Sequence, residues 1–219
     1  MDKKDILACY QRMREAGYSI QKILPGMLSR ETIKAAALKL KMWEDGSIVF
    51  DDDRQLTVLF DFAIYQERAQ GRNAVDVYTD KHPPAPGSDE EAVLAAMRRA
   101  YHSAFQVLAI EPEVGVHVQD LLRLETRLLA DIGFGTTAVT GLVLACHVIP
   151  FEDFIMTTGA ALPMNVETLE ALADELDARR LLPEKMASLR PAQQAGLAAT
   201  IIKLCLDAGA NAQIDYIRP

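Results

Sequence analysis

Cysteine, tryptophan and aromatic residues in general are scarce in this 219-residue chain: three Cys, one Trp and a 6% aromatic share. Cys9, Cys146 and Cys205 lie far apart in apolar surroundings. So odd and sparse a set excludes a disulfide framework and fits the reduced thiols of a cytosolic protein. No apolar run approaches the roughly 20 residues that cross a bilayer, so no membrane association is expected. The opening Met1-Asp2-Lys3-Lys4-Asp5 is polar and reads as the start of a helix rather than a secretory leader. The expected location is the cytoplasm.

Positive charge is short as well. The formal net charge is -8, which disfavours whole-molecule attraction to nucleic acid or an anionic membrane. The shortage is uneven. Residues 1–46 hold nine Lys/Arg against six Asp/Glu, whereas residues 47–219 hold fourteen against twenty-five.

Assembled catalytic signatures are missing too. Gly133-Phe134-Gly135-Thr136-Thr137 has the glycines and hydroxyls of an anion cradle, with Gly133, Gly135 and Thr137 as its candidate contacts. It lacks the lysine of a P-loop and the third glycine of a dinucleotide site, and it reads as a turn between strands. His82, His102, His117 and His147 show no His-x-x-x-His spacing, and no Cys-x-x-Cys accompanies them, so no metal site and no cofactor are expected. Cys146 and His147 are adjacent on an expected strand and point to opposite faces. A Gly-x-Ser-x-Gly elbow is absent. Asp51-Asp52-Asp53 lacks the spaced donors of a calcium loop and reads as a turn that caps the next helix.

What is present is a clear change of texture. The first part is helical. Ile6, Tyr10, Met13 and Gly17 mark one face of a first helix, with Gly17 near its end. Ser29 caps a second helix bearing Ile33, Ala36, Ala37, Leu40 and Trp43, and residues 55–67 form a third that is apolar on several sides. His82-Pro83-Pro84-Ala85-Pro86-Gly87 breaks the chain and divides it into a helical part, 1–86, and a β module with flanking helices, 87–219. Ser88 and Glu91 then form a capping-box pattern. Phe105–Ile110, Val114–Val118, Thr126–Ile132, Leu142–Ile149 and Phe154–Thr158 are five expected strands with short connections, which favour antiparallel pairing in a small barrel. Asn165 and Pro191 start two closing helices, the second stopped by Gly209. The expected fold is α+β: a helical N-terminal part, a five-stranded antiparallel barrel-like centre and a helical C-terminal cap.

Asp45-Gly46-Ser47-Ile48-Val49-Phe50, Asp61-Phe62-Ala63-Ile64-Tyr65, the Asp131–Thr137 stretch and Met156-Thr157-Thr158-Gly159-Ala160-Ala161-Leu162-Pro163 resemble a group of bacterial (proteobacterial-type) proteins of unknown function, over about residues 29–164. The β-rich part is also loosely similar to modules found beside SEC-C zinc tails, although this chain has no Cys-rich tail. The resemblance implies a bacterial cytosolic protein and supplies no catalytic residue.

The leading expectation is a non-enzymatic binding or regulatory module that takes a protein partner or a small ligand, with oligomerisation open. A second reading is an enzyme of unrecognised class, its site built from His102, His117, Asp131 and Thr136. A third is a nucleic-acid-binding regulator that uses the basic helix 29–42, through Arg30, Lys34 and Lys39.

Overall fold

A computed structural model describes residues 2–210. Helix α1 (Lys3–Ile23) starts where the Asp2 carboxylate accepts the Asp5 N–H, and it buries Tyr10, Met13, Gly17 and Ile20. It runs well past Gly17, where the sequence put its end. Gly17 is not a cap. It faces helix α5 (Asp89–Met97), where an added Cβ would meet Val93 at 3.6 Å, an ordinary van der Waals contact.

A 3-10 turn over Leu24–Met27 leads to α2 (Arg30–Lys39), whose Thr32 N–H donates to Ser29 Oγ at 3.1 Å as expected. A minimal hairpin, β1 (Trp43–Glu44) and β2 (Ser47–Ile48), turns on Asp45 and Gly46, both with positive φ as a two-residue hairpin turn requires. Asp52 caps α3 (Asp53–Tyr65) by accepting the Arg54 N–H, which is the capping duty expected of the acidic run. Leu59, Phe62 and Ala63 of α3 are fully buried, and Val58 and Tyr65 nearly so. Helix α4 (Ala74–Lys81), unforeseen from periodicity, is opened by a reciprocal capping box of Asn73 and Asp76. At α5, Ser88 accepts the Glu91 N–H, but the Glu91 carboxylate reaches back to Gly87 N–H at 2.6 Å.

All five expected strands are present: β3 (Tyr101–Glu111), β4 (Gly115–Asp120), β5 (Glu125–Ala130), β6 (Val143–Pro150) and β7 (Ile155–Pro163). They close in the order β3-β4-β5-β7-β6, with β6 returning to β3. The barrel is mixed, which corrects the antiparallel expectation. Four neighbouring pairs are antiparallel, and β5 runs parallel to β7 at Leu129 and Ile155. Parity demands this. Each antiparallel step reverses direction, so a closed ring of five strands must contain at least one parallel step. The 12 residues between β5 and β6 carry the chain past one strand position, and the β6–β7 hairpin then folds back to fill it.

That connection holds another departure. Gly133–Thr137 is no turn but most of a short helix, α6 (Ile132–Thr137), capped by Asp131, which accepts the Phe134 N–H at 2.9 Å. The Gly135 Cα hydrogens leave room for the backbone of Gly115, which an added Cβ would meet at 3.0 Å. Gly135 thus serves helix–strand packing.

The barrel interior is filled by Phe105, Val107, Val116, Val118, Leu129, Leu144, Cys146, Val148 and Ile155. Two further cores lie between barrel and helices, and each draws residues from both sides of position 86. Helix α3 lies on β7, α5 on β6, and α8 (Pro191–Asp207) on β3, β6 and β7; α7 (Val166–Ala178) packs on α8. Helix α6 packs on β4 at its Gly115 end, while the outward His117, Gln119, Thr126 and Leu128 of β4 and β5 stay partly or fully exposed.

Candidate functional site

Two places concentrate polar side chains. The first lies between α3 and the barrel. Strand alternation sends Cys146 inward and His147 outward, under α3. The Gln66 amide donates to His147 Nε2 at 2.8 Å, which leaves the ring proton on Nδ1, directed at the Asp61 carboxylate. His102, the register partner of His147, meets it edge-on with ring centroids 4.6 Å apart, and the Tyr65 ring lies 5.5 Å from it. His147 has no exposed surface, so this pair cannot reach a substrate. Its effect is mechanical: it pins α3 to β6 with a charge-assisted bond in a buried layer.

Burial, then His147, holds His102 well below the usual histidine range, and its Nδ1 has no hydrogen-bond partner among the described residues. A histidine kept neutral by the fold binds its proton more readily once unfolded. Its contribution is therefore complete above the unfolded value of roughly 6.5 and is lost as pH falls below it, by at most about 1.4 kcal/mol per pH unit. Urea midpoints should fall between pH 7.5 and 5.5, and His102→Gln should flatten that slope. An identical slope in the variant removes His102 as the cause.

The second place is the outer face of β4 and β5. His117 and Leu128 sit opposite each other on it, as do Gln119 and Thr126. Beside it, the start of α1 approaches the β3–β4 turn, and Lys3 Nζ meets Glu111 at 3.2 Å. Glu111 also lies 3.3 Å from His117 Nε2, and the bonds from Lys3 and His117 hold its carboxyl below the usual range. A pocket of about 170 Å³ opens there, lined by Lys3, Ile6, Glu111, Val114, His117 and Leu128. At the far end, Asp120 is fully buried and accepts from Ser103 Oγ at 2.6 Å and from the N–H groups of Leu122 and Arg123. Arg123 covers the Tyr101 ring, whose hydroxyl is pushed up to about 12 by burial and then by Asp120. Arg127 donates to the carbonyls of Phe151 and Glu152 and ties β5 to the β6–β7 turn.

Against known proteins, a family model described as a family of unknown function, DUF7986, matches residues 4–185. The chain belongs to that family. No curated protein and no solved structure matches it. The DUF7986 match takes in the whole barrel, the Asp61–His147 pair and every pocket residue except Lys3; α8 lies beyond it.

The other residues singled out from sequence fall in separate surroundings. His102 is buried against the His147 ring, while His117 is half-exposed on the β4–β5 face. Asp131 caps α6 and accepts from Thr157, and Thr136 Oγ1 donates to the Gly133 carbonyl. Among the described residues no hydrogen bond, ion pair or ring contact joins any two of these four. Gly133 and Thr137 lie on α6, with Thr137 Oγ1 donating to Phe134, and Gly135 packs on Gly115. On α2, Lys39 is bound to the buried Glu67 at 2.6 Å, Lys34 stands 5.1 Å over the Trp43 ring, and Arg30 is exposed. Burial pushes the Cys146 thiol well up, with Asp61 adding to it, and pushes Cys205 up to about 12, so neither is disposed to ionise. Among the described residues no group of three or more His, Cys, Asp or Glu is placed to hold a metal, and no helix is long and apolar enough to cross a membrane.

Asp61, Gln66 and His147 were not foreseen as a unit. Asp61 lies on α3, Gln66 caps its C-terminus and His147 sits on a strand some eighty residues on, so no local spacing joins all three. An Asp at position 61 within the apolar run of α3 was the available signal.

Proposed function

We propose that this chain is a non-enzymatic binding module that receives a protein partner on the outer face of β4 and β5. The observation that carries the reading is the uneven cover of the barrel: α3, α5 and α8 sit on β3, β6 and β7, the short α6 meets β4 at Gly115, and the outward His117, Gln119, Thr126 and Leu128 stay partly or fully exposed beside a pocket. The strand order, with one parallel closure and a helix between the third and fourth barrel strands, is the connectivity of the OB type of five-stranded Greek-key barrel. In such barrels the second and third strands and their flanking loops form the usual ligand face, and here these are β4 and β5. Fold analogy assigns no ligand by itself.

The chemistry of the face favours protein over nucleic acid. Single-stranded nucleic acid is held by aromatic platforms in a basic groove. His117, Gln119, Thr126 and Leu128 supply neither aromatic stacking surface nor fixed positive charge. The lysines of α2 are engaged with Glu67 and Trp43, which weakens the nucleic-acid reading of residues 29–42. Leu108, Ile110 and Leu124 add exposed apolar surface on β3 and the β4–β5 turn, as interface centres commonly carry. Three unpaired thiols fit the reducing cytoplasm, and the resemblance noted above fits a bacterium.

The test is photo-crosslinking in an extract of the native host. A reactive group at Thr126 should capture a defined protein that one at Glu184, an exposed position on a C-terminal 3-10 turn, does not, and Leu128→Asp should abolish the capture. Equal capture from both positions, or none from either, removes the reading.

A further inference from the structure

The pocket beside His117 is assembled from three separate segments. Helix α1 brings Lys3 and Ile6, which are three residues apart and so neighbours on one helix face. The β3–β4 hairpin brings Glu111, Val114 and His117, and β5 brings Leu128, the register partner of His117. The cavity measures about 170 Å³. One of roughly 150 Å³ takes a benzene-sized body, so there is room here for a branched aliphatic side chain.

The lining is divided by chemistry. Ile6, Val114 and Leu128 make an apolar wall; Lys3, Glu111 and His117 make a polar one. The polar wall carries both signs side by side. Lys3 Nζ lies 3.2 Å from one Glu111 oxygen, and His117 Nε2 lies 3.3 Å from the other. Those bonds hold the Glu111 carboxyl below the usual range, so it is an anion at neutral pH. The Lys3 and Glu111 side chains are 44% and 32% exposed, and an ion pair so exposed contributes little. A ligand that gives each of them a new partner can therefore open it.

Adjacent opposite charges select a ligand that bears both. A fatty acid would set its carboxylate against Glu111, and an aliphatic amine would leave Lys3 without a partner. A small zwitterion satisfies the two together through charge-assisted bonds. We infer that this pocket binds a free α-amino acid with an aliphatic side chain, its ammonium on Glu111, its carboxylate on Lys3 and its side chain against Ile6, Val114 and Leu128. The inference goes beyond the partner reading and does not depend on it. The two share Leu128, so an occupied pocket presents the partner with a different surface.

The test is titration of the isotope-labelled full chain with L-leucine to about 10 mM, above the millimolar range that one apolar side chain and exposed ion pairs support. The amide signals of Val114, His117 and Leu128 are expected to shift to saturation while that of Glu184 stays in place. Affinity should fall at least tenfold for 4-methylpentanoic acid, which lacks the amine, and for 3-methylbutylamine, which lacks the carboxylate. Glu111→Gln and Lys3→Met should each bring a similar loss, and Lys3→Arg should keep most of the binding. Circular dichroism matched to the parent separates lost binding from lost fold, and the two truncated analogues test the charge pairing without any substitution. No shift at the three amides overturns the inference, as does full affinity in a folded Glu111→Gln or for either analogue. Equal affinity for leucyl-glycine also overturns it, by pointing to a peptide N-terminus instead. Capture from Thr126 in host extract is a separate measurement, so none of these failures reaches the partner reading.

Discussion

His147→Ala is expected to lower folding stability by about 3 kcal/mol or more, the cost of leaving a buried carboxylate without its hydrogen-bond donor. The substitution leaves the Asp61 carboxylate and the Gln66 amide facing a cavity with no donor or acceptor returned to them. Urea unfolding followed by circular dichroism measures the loss. Asp61→Asn should cost less, since an amide keeps a neutral hydrogen bond to the ring. The double variant Asp61→Leu/His147→Leu discriminates further. If the pair is a fastener, its loss together should be well below the sum of the single losses, because no unpaired charge is left behind. Strict additivity, or a single-variant loss below 1 kcal/mol, would show that α3 is held by its apolar contacts alone.

Gly115→Ala should be at least as damaging, at about 3 kcal/mol or more from forced overpacking. A Cβ at this position would lie 2.0 Å from the Leu129 carbonyl oxygen and 2.8 Å from the Asp131 N–H nitrogen. Both are backbone atoms, one in β5 and one at the cap of α6, so no side chain can turn aside to make room. The β4–β5 register and the seat of α6 would have to shift together. Gly135→Ala meets the Gly115 backbone at 3.0–3.3 Å and should cost less, because a short helix can lift by a few tenths of an ångström. Thermal unfolding of the two variants ranks them. Gly115→Ala with a parental melting temperature would refute the packing argument.

The same two sites show which features of the protein local sequence could reveal. Ser29, Asp52, Ser88, Asn165 and Pro191 announce helix starts through backbone chemistry that acts within three residues, and each serves at the start expected of it. The five strands were readable from β-branched runs, and the nearly unbroken apolar stretch of β6 correctly implied burial on both faces. Helix α4 escaped because its eight residues, Ala74–Lys81, are too short for a clear apolar period. The Gly133–Thr137 stretch misled because glycine marks both turns and close packing. Only the position of Gly115 across the barrel tells them apart.

The candidate site was less legible still. His117 was singled out, but its neighbours Ile6, Val114 and Leu128 come from a helix, a turn and another strand. Nothing in their spacing links them. His102 was grouped with Asp131 and Thr136, yet its neighbour is His147, placed there by cross-strand register. Register is a long-range outcome, and it decides which side chains share a face.

By itself, then, the sequence determined most of the secondary elements, their caps and the buried, unreactive setting of Cys146 and Cys205, because each depends on periodicity and near-neighbour bonding. Tertiary structure alone decided the mixed closure of the barrel, the clamp between α3 and β6, and which strands stay uncovered. Those depend on how distant segments meet. Five strands that close must include a parallel pair, and the helices can cover only part of the barrel, leaving β4 and β5 to face outward.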